Sequence, residues 1–374
     1  MKSNLLTVLI VLVCLVPAAG QTPVPKTAYF HMKGSIDRTI PVTFDVVKLN
    51  DTLYCDFLLK DPTLALQVES TGEIPVFCGK ADATGAFTLH RPFKSGKPYI
   101  KGKLVNGNKI TGVWYSENGK NYTVDLTEAT PAGSASLTAT YMKDSKPLIA
   151  KQKSPSAKIQ MALILPQESS NIIISDSLRK VMAEKFSERA GIHETSEAIL
   201  ENIKRVFFTT YISSNEQLYK TNKGMSFQWE SLKFMHILHN ESNIFSFYII
   251  NYAFTGGAHG LETYESSNVD LQTGKEIRFN QIFRDGSQDA LKERLTAKLK
   301  ANFSLKPEQK LTDNGFFTDE IKPGDQFYIN GQGIGFIYNH YEIAPYSSGI
   351  FFIFLNWDEV RDLIRPDSHV RSLF

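Results

Sequence analysis

Two short segments carry most of the side chains that could bind or react. One is Tyr252-Ala-Phe-Thr-Gly-Gly-Ala-His-Gly260; the other is His340-Tyr-Glu-Ile-Ala-Pro-Tyr-Ser-Ser-Gly349. The glycines of the first segment leave little side-chain bulk, so its backbone can approach another surface closely. His259 sets one imidazole among these small neighbours, where it could be a general base, a ligand contact or a structural loop residue. Catalytic histidines work with a nucleophile and an orienting group, and no such partner is evident in the sequence. In the second segment Tyr341 and Tyr346 follow closely on Tyr328, Phe336 and Tyr338. Aromatic rings with polar tips are favoured at interfaces. Packing within a sheet is the competing role, expected for Phe336 and about half of the tyrosines. The candidate binding residues are therefore Tyr252, Thr255, Gly256, Gly257, His259, Gly260, Tyr341, Glu342 and Tyr346.

Other chemistries find less support. His236 and His239 are three apart, but in a regular strand that spacing points them to opposite faces. There is no Cys-x-x-Cys, no His-Glu-x-x-His and no Gly-x-Ser-x-Gly. Asp270, Thr273 and Glu276 do not match a calcium loop. Gly331-Gln-Gly-Ile-Gly335 has a nucleotide-loop spacing but lacks the sixth-position glycine and a following helix, so it reads as a hairpin turn. A glycosidase would need two placed carboxylates. Glu262, Glu265 and Glu342 qualify only by lying near the two segments, and a solvated surface is the ordinary place for glutamate. No catalytic residue, metal or cofactor is assigned.

The chain of 374 residues opens like a secretory signal: Lys2, an apolar run from Leu5 to Val16, then Ala18-Ala-Gly20 before Gln21. Cys14 is a poor lipidation site because Val13 stands where a small residue is expected. No later run reaches the roughly 18 apolar residues of a membrane span. An exported chain beginning at residue 21, periplasmic or extracellular, is expected. It would retain Cys55 and Cys78, an even pair in an oxidising compartment, and a disulfide is expected between them; two buried free thiols are the alternative. The formal net charge of the whole chain is +2, and residues 21–133 and 134–374 are each close to neutral. With no basic tract, nucleic acid is not expected as a partner.

The elements divide into two groups. Residues 21–130 show short alternating runs between turn signals such as Asn106-Gly107 and Asn118-Gly119, which predict an all-β small barrel or sandwich. Residues 131–154 read as a linker with a connecting strand, Leu137 to Met142. Residues 155–366 predict an α+β domain with an antiparallel sheet. Its helices begin near Ser175, near Ile199 and on the stripe Leu291, Leu295, Leu299 and Phe303. Its strands include a hairpin of Phe227–His239 with Ile244–Phe254. Residues 367–374 read as a tail.

The two chemistry-bearing segments, with the Thr273-Gly274-Lys275 turn, resemble the RsiV-like extracytoplasmic domain of unknown function over residues 155–366. Thr255, Gly256, Gly257, Ala258, His259, Thr273, Gly274, Tyr341, Glu342, Ile343, Ala344, Pro345, Tyr346 and Gly349 stand at matching positions. In one setting that domain senses lysozyme; in another it accompanies peptidoglycan deacetylases. The N-terminal part looks like small β-domains of Bacteroidetes exported proteins. Neither a sigma-binding segment nor a polysaccharide deacetylase domain is recognised in these 374 residues, so signalling and deacetylation are not expected from the resemblance. The resemblance implies a cell-envelope binding protein for a cell-wall glycan or a lysozyme-like protein. A carbohydrate-active hydrolase using carboxylates near the glycine-rich loop is one alternative, and a structural envelope protein without a ligand is another.

Overall fold

The computed structural model describes residues 25–59, 76–90, 99–116, 119–151, 154–167, 172–191, 193–222 and 226–374. The signal segment and Cys14 lie outside the described residues.

Eight strands form a closed antiparallel barrel: β1 (Thr27–Ile36), β2 (Ile40–Leu49), β3 (Thr52–Leu59), β4 (Val76–Lys80), β5 (Ala86–His90), β6 (Tyr99–Val105), β7 (Lys109–Tyr115) and β8 (Asn121–Glu128). β8 returns to β1, so the sheet keeps no free edge. Strand alternation sends Phe30, Met32, Phe44, Val46, Leu53, Phe77 and Trp114 inward to a buried core.

The same alternation decides the cysteines. Cys55 stands opposite Phe77 and points into the barrel, whereas Cys78 stands opposite Tyr54 and points outward. No disulfide joins them. The expected disulfide is thus not formed, because neighbouring strands place the two sulfurs on opposite faces of one sheet.

After the barrel, β9 (Leu137–Pro147) and β10 (Ser156–Pro166) form a hairpin. The strand foreseen in the connecting segment therefore belongs to the second sheet. Two helices follow, α1 (Ile172–Phe186) and α2 (Ser196–Thr221), the latter capped by the Thr195 hydroxyl accepting from Ala198 N–H. They carry the chain over to β11 (Trp229–Glu241), which lies parallel to β10. β12 (Ile244–Phe254), β13 (Leu261–Asp270) and the short β14 (Lys275–Glu276) complete a sheet of order β14-β13-β12-β11-β10-β9. All its pairs except β10–β11 are antiparallel. Leu178, Met182, Phe186, Ile199, Leu200 and Tyr211 of α1 and α2 share a buried cluster with the sheet's Ile159, Met161, Ile237 and Ile249.

The chain then makes α3 (Phe279–Ile282), α4 (Gln288–Asn302), and a three-stranded antiparallel sheet of β15 (Phe327–Asn330), β16 (Gly333–Tyr338) and β17 (Phe351–Asn356). The 331–335 run supplies the β15–β16 hairpin turn at residues 331–332, while Gly333 and Gly335 already stand in β16. α5 (Trp357–Val360) follows, with Asn356 and Glu359 forming a capping box. The small sheet packs one face on α4 and α5 through Phe336, Ile353, Leu291 and Leu295. Its other face meets Tyr248 and Leu238 through Tyr328, Ile337 and Phe352. Residues 367–374, read as a tail, pack against the domain. His369–Leu373 forms a 3-10 turn, Val370 is fully buried, and the Phe374 ring stacks on Trp357 at 5.0 Å. Apolar residues four apart at 370 and 374 give this end a packing face.

The barrel and the α+β domain share one apolar cluster. Tyr29, Val47 and Leu49 on the barrel's outer surface are buried with Leu137 and Ala139. Tyr54 meets Phe234 edge-on at 6.0 Å. The connecting segment is also fixed. Asn240 accepts from Ala135 N–H at 2.7 Å and donates to Ala135 C=O at 2.8 Å, while Asn243 N–H donates to Gly133 C=O at 2.9 Å.

His236 and His239 also depart from expectation. Ile237 opposes Phe247 but His239 opposes Ser246, so a bulge inserts Leu238 between them. One extra residue restores parity and brings both histidines to the barrel-facing side of β11. His236 stacks on Tyr248 at 5.0 Å and 13°.

Candidate functional site

The two segments singled out by their chemistry meet in space. β12 ends at Phe254, and the loop Thr255–Gly260 turns the chain into β13. Gly256 and Gly257 adopt φ of +110° and +91°, a region that side-chain-bearing residues rarely enter. Nothing crowds a Cβ at either position beyond the Ser226 carbonyl at 4.0 Å, so their role is conformational. Replacing either by valine is expected to lower stability by about 1–3 kcal/mol through backbone strain alone, read as a shift in urea unfolding. An unshifted midpoint in both variants would contradict that role. Gly260 has a different reason. A Cβ there would lie 2.5 Å from the Tyr252 ring, which rests directly on the glycine.

From the other side, the chain leaves β16 at Tyr338 and turns at Asn339. The Asn339 amide accepts from Tyr264 N–H at 2.7 Å and donates to Tyr264 C=O at 3.1 Å. This pins the turn to β13 and presents His340, Tyr341 and Glu342. Ile343 and Ala344 are buried, which anchors the segment in the core. Pro345 precedes a 3-10 turn, Tyr346–Ser348, that ends at Gly349 with φ 81° and ψ −156°, a conformation suited to glycine.

Tyr346 is the centre of the arrangement. Its hydroxyl donates to the Gly260 carbonyl at 2.8 Å, joining the two segments. His259 stacks on the ring at 3.8 Å and 20°, and His340 stacks at 4.2 Å and 20°. Two rings that close cannot share one face, so Tyr346 is held between two imidazoles. His259 Nδ1 lies 2.9 Å from the Gly260 carbonyl, which can only accept, so Nδ1 carries the hydrogen. In that tautomer Nε2 is the ring's acceptor. Tyr341 adds a fourth ring, 5.9 Å from Tyr346 and tilted by 36°. It is 56% exposed and sits at φ +68°, unusual for a bulky residue. Phe317 is equally exposed, and its N–H donates to the Ile343 carbonyl beside this surface.

Each sequence-predicted residue has a place. Tyr252 packs on Gly260; Thr255, Gly256 and Gly257 form the loop; His259, Tyr341 and Tyr346 form the ring cluster; Glu342 lies exposed at its edge. His340 opens the second segment but is absent from the predicted binding residues, and its only signal in the sequence is that position. Glu262 opposes Tyr252 and Glu265 opposes Ile249 on an unbroken stretch of β13, so these two carboxylates point to opposite faces. They cannot act as a pair across one glycosidic bond. Among the described residues, no cluster of three or more His, Cys, Asp or Glu is placed to hold a metal ion. Three surface hollows lie elsewhere: beside α4, between α2 and β9, and at the barrel end near Lys48 and Asp82.

A closed eight-stranded barrel joined to an α+β domain with a surface ring cluster defines a two-part protein. The second part has known counterparts. Residues 151–262 match the family described as deacetylase PdaC, and residues 280–358 match a protein family of unknown function, DUF3298. No curated protein matches the chain. A crystal structure of a DUF3298-family protein from Bacteroides fragilis is 21% identical, with a TM-score of 0.61, over 65% of this chain and 99% of that one. This likeness establishes the fold. A DUF3298-family protein from Pseudomonas aeruginosa PAO1 is 14% identical, with a TM-score of 0.46, over 63% of this chain and 98% of that one. Both families are usually extracytoplasmic. No helix among the described residues is long and apolar enough to cross a membrane.

Proposed function

We propose that this chain is an exported cell-envelope binding protein whose recognition surface is the ring cluster of His259, Tyr346, His340 and Tyr341. The observation that carries this reading is Tyr346, fixed between two imidazoles with an exposed tyrosine beside it. A pre-ordered aromatic surface loses little entropy on binding. The apolar face of a sugar ring stacks well on such a surface, while His259 Nε2 can accept from a sugar hydroxyl. A cell-wall glycan is therefore the favoured ligand. The resemblance to the lysozyme-sensing domain supports a second reading, a cell-wall-acting protein such as lysozyme. The near-neutral charge of residues 134–374 gives that reading little long-range steering toward a basic protein.

Calorimetry of the chain starting at residue 21 distinguishes these readings, with soluble peptidoglycan fragments and a muramidase titrated separately at low and physiological salt. Tyr341→Ala is expected to weaken glycan binding at least about tenfold, roughly 1.4 kcal/mol. Heat with the muramidase alone would move the ligand to a protein. No heat with either at tens of micromolar removes both, and wild-type affinity in Tyr341→Ala removes this surface.

A further inference from the structure

The seam between barrel and sheet contains charged and titratable groups that the ring cluster does not use. Tyr29 donates to Asp45 at 2.5 Å, and His31 Nδ1 donates to the same carboxylate at 2.7 Å. All three lie on the outer surface of the barrel, yet all are buried. From the sheet side, Glu241 accepts from Lys33 at 2.5 Å and from Thr43 at 2.8 Å. Asn240 donates to the Tyr29 hydroxyl at 3.2 Å. His239 is 5% exposed, and its buried Nε2 has no hydrogen-bond partner.

We propose that this seam is an acid-released latch, in which protonation of His239 drives the barrel off the sheet while both parts stay folded. The charges that act on His239 come from each packed element: His31 on β1, Asp45 on β2 and Glu241 on its own strand. Lys33 of β1 stands beyond, bound to Glu241. Asp45 and Glu241 would attract a proton on His239, but Asp45 is already engaged by Tyr29 and His31, and Glu241 by Lys33 and Thr43. Nε2–H would then be a buried charged donor with no acceptor, on a ring that has no carboxylate bound to it as Asp45 is bound to His31. Separation lets water solvate it.

The protonation equilibria agree with this geometry. Burial holds His239 down to about 4, although Glu241 and Asp45 oppose the shift. Burial alone would lower His31 as well, but the Asp45 hydrogen bond and charge, with help from Glu241, raise it overall. The two histidines therefore act in different pH windows. His31 holds the seam fully below the ordinary histidine value near 6.5, and that contribution is lost as pH rises through its raised value. His239 holds it above about 6.5, and that contribution is lost as pH falls toward 4. Between these limits His31 is charged whether docked or released, so His239 sets the slope. The docking equilibrium shifts about tenfold per pH unit, reaching roughly 100-fold by pH 4.5.

The test is small-angle scattering of the chain starting at residue 21 from pH 7.5 to 4.5, with limited proteolysis of residues 129–136 and near-UV circular dichroism on the same samples. Wild type is expected to expand and become cleavable in that segment toward pH 4.5 while keeping its near-UV signal. His239→Gln, which cannot charge, is expected to stay compact and resistant. His239→Leu serves the same purpose if the amide variant does not fold. His31→Gln is expected to loosen the seam across the range. An unchanged wild-type radius down to pH 4.5, acid release in both His239 variants, or loss of the near-UV signal together with expansion would each overturn the latch.

Discussion

Replacing Asn268 with leucine is expected to lower the stability of the α+β domain by about 3–5 kcal/mol, more than any exposed substitution in the chain. This buried amide joins two sheets. Its oxygen accepts from the Ser246 hydroxyl at 2.6 Å and from Ile329 N–H at 2.9 Å, and its nitrogen donates to the Phe327 carbonyl at 2.8 Å. Leucine fills similar space but strands a hydroxyl, an N–H and a carbonyl in a dry interior, and each stranded group costs about 1–3 kcal/mol. Ser246→Ala removes only one contact and should cost about 1 kcal/mol. Urea denaturation of the three proteins checks the order. Equal midpoints for Asn268→Leu and Ser246→Ala would show that the amide does not join the sheets.

Gly335→Val should be nearly as damaging, at about 3 kcal/mol. A Cβ at this position would stand 2.1 Å from the Tyr328 ring, which is itself buried between the small sheet and Tyr248. The ring cannot retreat without opening that cluster. Tyr328→Leu alone loses packing, but it removes the obstacle. The double variant should therefore be less destabilised than the sum of the singles, by at least about 1 kcal/mol in a double-mutant cycle. Strict additivity would mean that the clash is relieved elsewhere.

These two sites show what the sequence could and could not reveal. The turn that opens at Gly331 was legible, because turn chemistry is local; that Gly333 and Gly335 belong to the following strand was not. That Gly335 also lies beneath a tyrosine from the preceding strand depends on tertiary packing. The β11–β12 hairpin was visible in its alternation, yet the Leu238 bulge was not, since no glycine or proline marks it. That one residue reversed the inferred relation of His236 and His239. Tyr29, His31, Lys33, Thr43 and Asp45 alternate with apolar residues as a solvent-facing set would. Only the neighbouring domain makes most of them buried. The cysteines failed as a pair for a similar reason, because strand membership was legible while the register that sets their facing was not. The candidate site was legible as two segments through the family resemblance. Their meeting at Tyr346, and the addition of His340, follow from the small sheet's placement against β13.

The outer edge of β13 is closed largely by side chains. An open strand edge is a template for another strand and thus for aggregation. β14 covers only Val269 and Asp270 of that edge. Farther along, Tyr264 N–H and C=O are taken by the Asn339 amide, and Ser266 N–H by the Gln326 amide. Single side chains thus satisfy groups that a foreign strand would need in order to add to the sheet. The amide that positions the ring cluster therefore also terminates the sheet, and a polar side chain lost at residue 339 would both loosen the recognition surface and expose a polymerisation edge.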